Sequence, residues 1–188
     1  MSSPGTDSDT IEIDLRRPGV AALLAWLLPG AGHFYQRRYA KGVLFMVCVL
    51  GTYFFGLTLG GGHVVYASWK KEDRRWQYFC QLGAGLPALP ALEQARRVSN
   101  GDRPLFDKSM PGFMTPPMEG QPRVEGGDEL AQWNLTYKWK FELATLYTMV
   151  AGLLNILAVY DAYGGPMIIV EEDKKKDASP PTPKPPAA

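Results

Sequence analysis

Side chains able to do chemistry are few in this chain. Its 188 residues include two histidines, His33 and His63, and two cysteines, Cys48 and Cys80. No two of these four are close in sequence, so the paired-ligand spacing of a zinc site is missing. Cys48 and Cys80 both fall in apolar stretches, which suits inert buried thiols better than a disulfide or a metal site. Met110, Met114 and Met118 repeat every fourth residue, and thioethers favour Cu(I). Pro111, Pro116 and Pro117 prevent that spacing from forming one helical face. No nucleophile–base pair or metal constellation emerges. The sequence therefore predicts no catalytic residue, no metal and no cofactor.

The densest polar pattern runs through Pro29, Gly30, Gly32, His33, Phe34 and Tyr35 to Arg37, Arg38, Tyr39 and Lys41. Glycines let the backbone turn tightly. Tyrosines settle at headgroup depth, and Arg37, Arg38 and Lys41 can meet phosphates. Such a segment serves either as a contact for lipid or a partner, or simply as the connection of a membrane hairpin. Asn155 and Asp161 are the polar residues of a long apolar stretch. Buried polar groups of that kind either hold helices together by hydrogen bonds or mark a route for an ion or solute. Gly56 and Gly60 form a GxxxG spacing that permits close helix packing.

The elements that must position these residues follow from where charge is missing. The formal net charge is +1, and 21% of residues are charged. Without a basic excess, nucleic acid is excluded as a partner. Yet the charges avoid four windows entirely: 18–36, 42–69, 76–92 and 143–160. A soluble amphipathic helix would show a charged face every turn or two. About 20 helical residues cross a ~30 Å hydrocarbon core, a length met by 42–60 and by 139–163. Tyr39, Tyr66, Trp69, Trp139 and Tyr163 flank them as an interfacial belt. The first window is interrupted at Pro29-Gly30; it either spans, re-enters, or resembles a cleaved signal peptide. The third, with Pro87 and Pro90, reads as a kinked membrane helix or a buried interfacial one.

The expected class is an all-α, polytopic integral membrane protein with three to four transmembrane or re-entrant helices. Its parts are a polar tail (1–17), a helical hairpin with the PGAGHFY turn (18–60), a basic loop (61–75) and a kinked third membrane helix (76–97). A Pro/Gly-rich soluble loop (98–138), with one short helix near 128–133, leads to the last transmembrane helix (139–163) and a charged, Pro-rich tail (164–188). Both tails lack the apolar periodicity needed for a core and are expected to be disordered.

The order span–PGAGHFY–basic residues–Lys41-Gly42–span resembles the two-transmembrane-helix domain proteins. The stretch from Leu146 to Asn155, and from Tyr160 to Tyr163, is similar to uncharacterised bacterial membrane proteins of planctomycete type. The resemblance covers about 45 residues of the hairpin and about 25 of the last span; the added spans and long loop depart from it. It implies insertion in the bacterial cytoplasmic (inner) membrane as a multi-pass protein, with no established chemistry. The lipid bilayer is the expected partner, together with a second copy or another membrane protein. The function expected is a non-enzymatic structural or interaction module; the alternative is a small oligomeric transporter or channel component using Asn155 and Asp161.

Overall fold

A computed structural model describes residues 17–70, 73–106, 108–118 and 129–165. Most of the two polar tails expected to be disordered lies outside the described residues. All regular structure among those described is helical: α1 (Pro18–Leu27), α2 (Ala31–Tyr35), α3 (Tyr39–Leu59), α4 (Gln77–Leu82), α5 (Leu89–Ser99), α6 (Glu129–Tyr137) and α7 (Trp139–Gly164), with a 3₁₀ turn at Leu86–Ala88.

Helices α3 and α7 form the frame. They contain 21 and 26 residues, or about 32 and about 39 Å at 1.5 Å per residue. Both are long and apolar enough to cross a membrane. Their pairing is antiparallel. Lys41, at the start of α3, meets Asp161 near the end of α7, whereas Gly56, near the end of α3, packs on Ala144, Tyr147 and Thr148. A methyl group at Gly56 would lie 2.8 Å from Tyr147 Cβ and 2.9 Å from the Ala144 carbonyl, so the glycine sets how closely the helices approach. Helix α3 closes with Gly61 and Gly62, both at positive φ. Their amides return to the Thr58 and Leu57 carbonyls, satisfying groups that a helix end otherwise leaves bare.

The third row of the bundle is a helix broken in two. Pro18, pre-set for helical φ, starts α1. Leu28 then turns extended ahead of Pro29, and Gly30 adopts φ 86°. From there α2 doubles back: Gly32 lies against Ala21 and Ala25, and Gly30 against Gly42 of α3. Both ends of this hairpin therefore lie at the Asp161 end of α7. Helix α4 approaches from the opposite end. Arg75, just before it, bonds Thr145; Gln81 bonds Thr148; and Gly83, just after it, receives a bond from Asn155. The C-terminal tips of α1 and α4 meet beside Asn155, where Gly85 abuts the Trp26 carbonyl.

The stretch expected as one kinked helix over 76–97 is thus divided at Gly83–Gly85. Gly85 is at φ 77° with Trp26 O against it, a position that admits no side chain. Pro87 and Pro90 do not kink a continuous helix; they sit in the first turns of the pieces that follow. Pro90 has no N–H to return to Pro87, and the Tyr53 hydroxyl donates to the Pro87 carbonyl instead, at 3.0 Å. Beyond this turn α5 leaves the α7 row. At the far end of the frame Val64, Val65, Tyr66, Met114, Trp133 and Phe141 make the main core. His63 stacks on Trp133 with centroids 4.6 Å apart.

Candidate functional site

The PGAGHFY turn is organised around one carboxylate. Helix α2 is too short to stand alone; it is held by Gly32 packed against α1 and by its own C-cap. The Arg37 amide bonds Phe34 O and the Arg38 amide bonds His33 O, the Schellman pattern that ordinarily places glycine where Arg37 stands at φ 62°. This cap directs His33 inward and Arg38 back along α7. Asp161 Oδ2 then accepts from His33 Nε2 and from the Arg38 guanidinium, each at 2.9 Å, and Oδ1 accepts from Lys41 Nζ at 3.3 Å. Gln36 donates to the Ala162 carbonyl. The residues are 120 to 128 positions from Asp161 in the chain.

His33 is fully buried and tilted on the Phe45 ring, centroids 4.8 Å apart. Burial pushes its pKa below the usual 6.5; the hydrogen bond His33 donates to Asp161 opposes that, and the charges of Arg38 and Lys41 reinforce it. A neutral ring with its proton on Nε2 fits this arrangement, leaving Nδ1 buried without a partner among the described residues. One carboxylate thus faces two fixed cations, and Arg37 beside them is exposed. The cluster has a surplus of positive charge.

A second polar centre lies in the middle of α7. Asn155 is fully buried. Its Nδ2 donates to Gly83 O at 2.9 Å and to Trp26 O at 3.3 Å. One amide therefore caps the C-terminal ends of two broken helices. Oδ1 has no partner among the described residues. One turn earlier Gly152 leaves room for the Cys80 carbonyl, which a methyl group would strike.

These positions account for the polar and glycine residues singled out in the sequence, with the Arg37 side chain as the exception. Pro29, Gly30 and Gly32 shape the α1–α2 turn; His33, Arg38 and Lys41 converge on Asp161. Tyr35 is half-buried against the small cluster of Ala21, Ala25 and Ala162. Arg37 joins none of these contacts. Gly56 faces α7, and Gly60 lies against Val64 and Ala144. Among the described residues there is no group of His, Cys, Asp and Glu able to hold a metal ion.

A family model described as a family of unknown function, DUF6677, matches residues 20–175. The chain belongs to that family. The match runs from within α1 past the end of α7, so the DUF6677 unit includes the hairpin, the broken helix row and the Asp161 cluster together. Neither a curated protein nor a solved structure matches the chain.

Sequence reasoning missed several contributors. Gln81 and Thr148 bond each other at 2.8 Å in the α4–α7 contact; nothing about an isolated Gln in an apolar run names its partner. Arg75 is 8% exposed, although the sequence reads it as one member of a basic loop. The one available signal was its place at the boundary of a charge-free window.

Proposed function

We propose that this DUF6677 protein is a non-enzymatic, multi-pass module of the bacterial cytoplasmic membrane, in which the Asp161 cluster fixes a re-entrant hairpin and presents cations to lipid headgroups or a partner. The observation that carries this reading is the outer surface of the frame. Only 28% of the most apolar window of α3 and 39% of that of α7 are buried. Val43, Leu44, Val47, Phe54 and Phe55 on α3, and Leu146, Leu153, Ile156, Leu157 and Tyr160 on α7, are exposed. Two faces of that kind need lipid or another protein around them. The turn's likeness to the two-transmembrane-helix domain proteins agrees with this setting.

In this arrangement the chain crosses twice, and α1–α2 and α4–α5 enter from opposite sides without crossing. Backbone breaks at membrane depth are tolerated where protein surrounds them, and Asn155 supplies the missing donor. The competing transporter reading needs Asn155 and Asp161 to face a route. Here the Asn155 amide is engaged by two backbone carbonyls, and Asp161 by three side chains.

The test combines fractionation and reconstitution. The protein stays with membranes through alkaline carbonate, and a photocrosslinker at Tyr39, which is 63% exposed, captures lipid, a second copy or a partner protein. Release by carbonate ends the membrane reading. A solute flux in liposomes that Asp161→Asn abolishes would replace the module with the transporter.

A further inference from the structure

A cavity of about 430 Å³ opens at the end of α7 opposite Asp161. Its walls include Trp76, Leu130, Phe141, Leu146 and Met149, with Arg75 as the one cation among the described residues that line it. The Arg75 guanidinium is held in place from three directions. Its terminal nitrogen donates to Val64 O at 3.0 Å and Thr145 Oγ1 at 3.1 Å. The Tyr66 ring lies 4.3 Å from it and the Phe141 ring 5.4 Å. Its Nε is buried without a hydrogen-bond partner among the described residues.

What Arg75 lacks, among the described residues, is a carboxylate within ion-pair distance. Asp73 acts on it from farther away and accepts from the Tyr66 hydroxyl. Glu142 also lines the cavity, as an exposed residue. Burying a guanidinium without a close counter-charge is costly, and aromatic faces recover only part of that cost. The arrangement is a fixed cation beside a trough of Leu146 and Met149, which continues onto exposed apolar surface: Leu146 is 54% exposed and Trp76 59%. A charged head and an acyl chain would each find a complement.

We propose that this cavity seats an anionic phospholipid, with its phosphate on Arg75 and an acyl chain along Leu146 and Met149. The inference rests on the membrane reading above. It concerns the end of the frame away from the Asp161 cluster, and no residue of that cluster takes part.

Full-length protein is reconstituted in vesicles of phosphatidylglycerol and phosphatidylcholine with matched acyl chains, and the lipids retained on release are weighed by native mass spectrometry. Both lipids carry a phosphate, so the expected preference for phosphatidylglycerol, about tenfold, comes from the choline cation of phosphatidylcholine, which the Arg75 guanidinium repels. Arg75→Gln removes that preference. Met149→Trp, which fills the trough and leaves Arg75 in place, removes it as well and guards against a folding defect in the first variant. Equal retention of both lipids by wild type overturns the proposal, as does a preference that survives both variants. Loss of the preference on adding inorganic phosphate at lipid-equivalent concentration overturns the acyl part, since a bare oxyanion would then suffice. Protein that never enters the vesicles refutes the membrane reading itself, whereas insertion without selectivity refutes the site alone.

Discussion

Replacing Asn155 with leucine tests the joint between the two half-helices most directly. Leucine keeps the branched outline of the side chain but is bulkier at a fully buried position, so overpacking adds to the loss of both donated hydrogen bonds. Each buried carbonyl left without a donor costs about 1–3 kcal/mol. The 2.9 Å bond to Gly83 warrants the middle of that range and the 3.3 Å bond to Trp26 its lower end, so about 3 kcal/mol is lost. The variant also removes the unpartnered Oδ1, which returns about 1 kcal/mol. The net destabilisation from hydrogen bonding is about 2 kcal/mol, or roughly 30-fold in the folded-to-unfolded ratio. Asn155→Asp should exceed it, because a carboxylate would face the negative ends of two helices. The assay is reversible unfolding in mixed micelles, read by tryptophan fluorescence, together with thiol labelling of Ala84→Cys at a position with no exposure. Labelling should accelerate in step with the loss of stability. If Asn155→Leu changes stability by less than about 0.5 kcal/mol, within the range of an ordinary surface substitution, and leaves Ala84→Cys protected, the amide does not hold the halves together.

Arg37→Gly should stabilise the protein by about 1 kcal/mol, since glycine accepts the left-handed conformation that costs an ordinary residue about that much; unfolding midpoints of the two proteins check it, and unchanged stability would mean that the cap is not strained. Because His33 binds its proton less readily when folded than when unfolded, its stabilising contribution is complete above the unfolded pKa of 6.5 and is lost as pH falls from there toward the lower folded value. Burial lowers the pKa of His63 in the same direction, so unfolding between pH 7.5 and about 5.5 should show a decline that His33→Gln reduces and the double variant with His63→Gln flattens, measured above the range where carboxylates titrate. Gly152→Ala should destabilise by about 2 kcal/mol through overpacking, whereas Gly51→Ala, where an added methyl meets nothing within 4 Å, should be neutral or slightly stabilising; equal effects would contradict the α4–α7 contact. On a background lacking Cys48 and Cys80, impermeant reagents should label Gly19→Cys and Ala40→Cys from one side of the membrane and Ser99→Cys from the other, and opposite-side labelling of the first two would make α1 a full span.

The long elements could be read from the chain with little error. The stretches 42–60 and 139–163 correspond to α3 at Tyr39–Leu59 and α7 at Trp139–Gly164, because an uncharged run of that length leaves few alternatives to a helix. The short helix expected near 128–133 is α6, extended to Tyr137. Pairings were not readable. His33 and Asp161 each stand out as a polar residue in apolar surroundings, yet nothing in a single sequence says that they bond across 128 positions. The same holds for Asn155, whose partners are backbone carbonyls and leave no side-chain signature. The third window failed for a different reason: hydrophobicity measures what a segment tolerates around it, and six residues of α4 look the same to that measure whether or not the helix continues. The glycines at 83 and 85 carried the break, but the prolines nearby drew attention as the ordinary cause of a kink.

The meeting of two helix tips beside Asn155 also imposes an order on biogenesis. As the ribosome extends the chain, α1 and α4 are made long before α7, and neither has a complete partner for its terminal carbonyls until residue 155 emerges. On the proposed membrane reading α3 could insert at once, since its backbone is satisfied from within. Until residue 155 is made, both half-helices lack the two hydrogen bonds that the Asn155 amide donates. Truncation ahead of α7 would therefore leave the tips of α1 and α4 unjoined, so the last helix to be made is the one that completes the first.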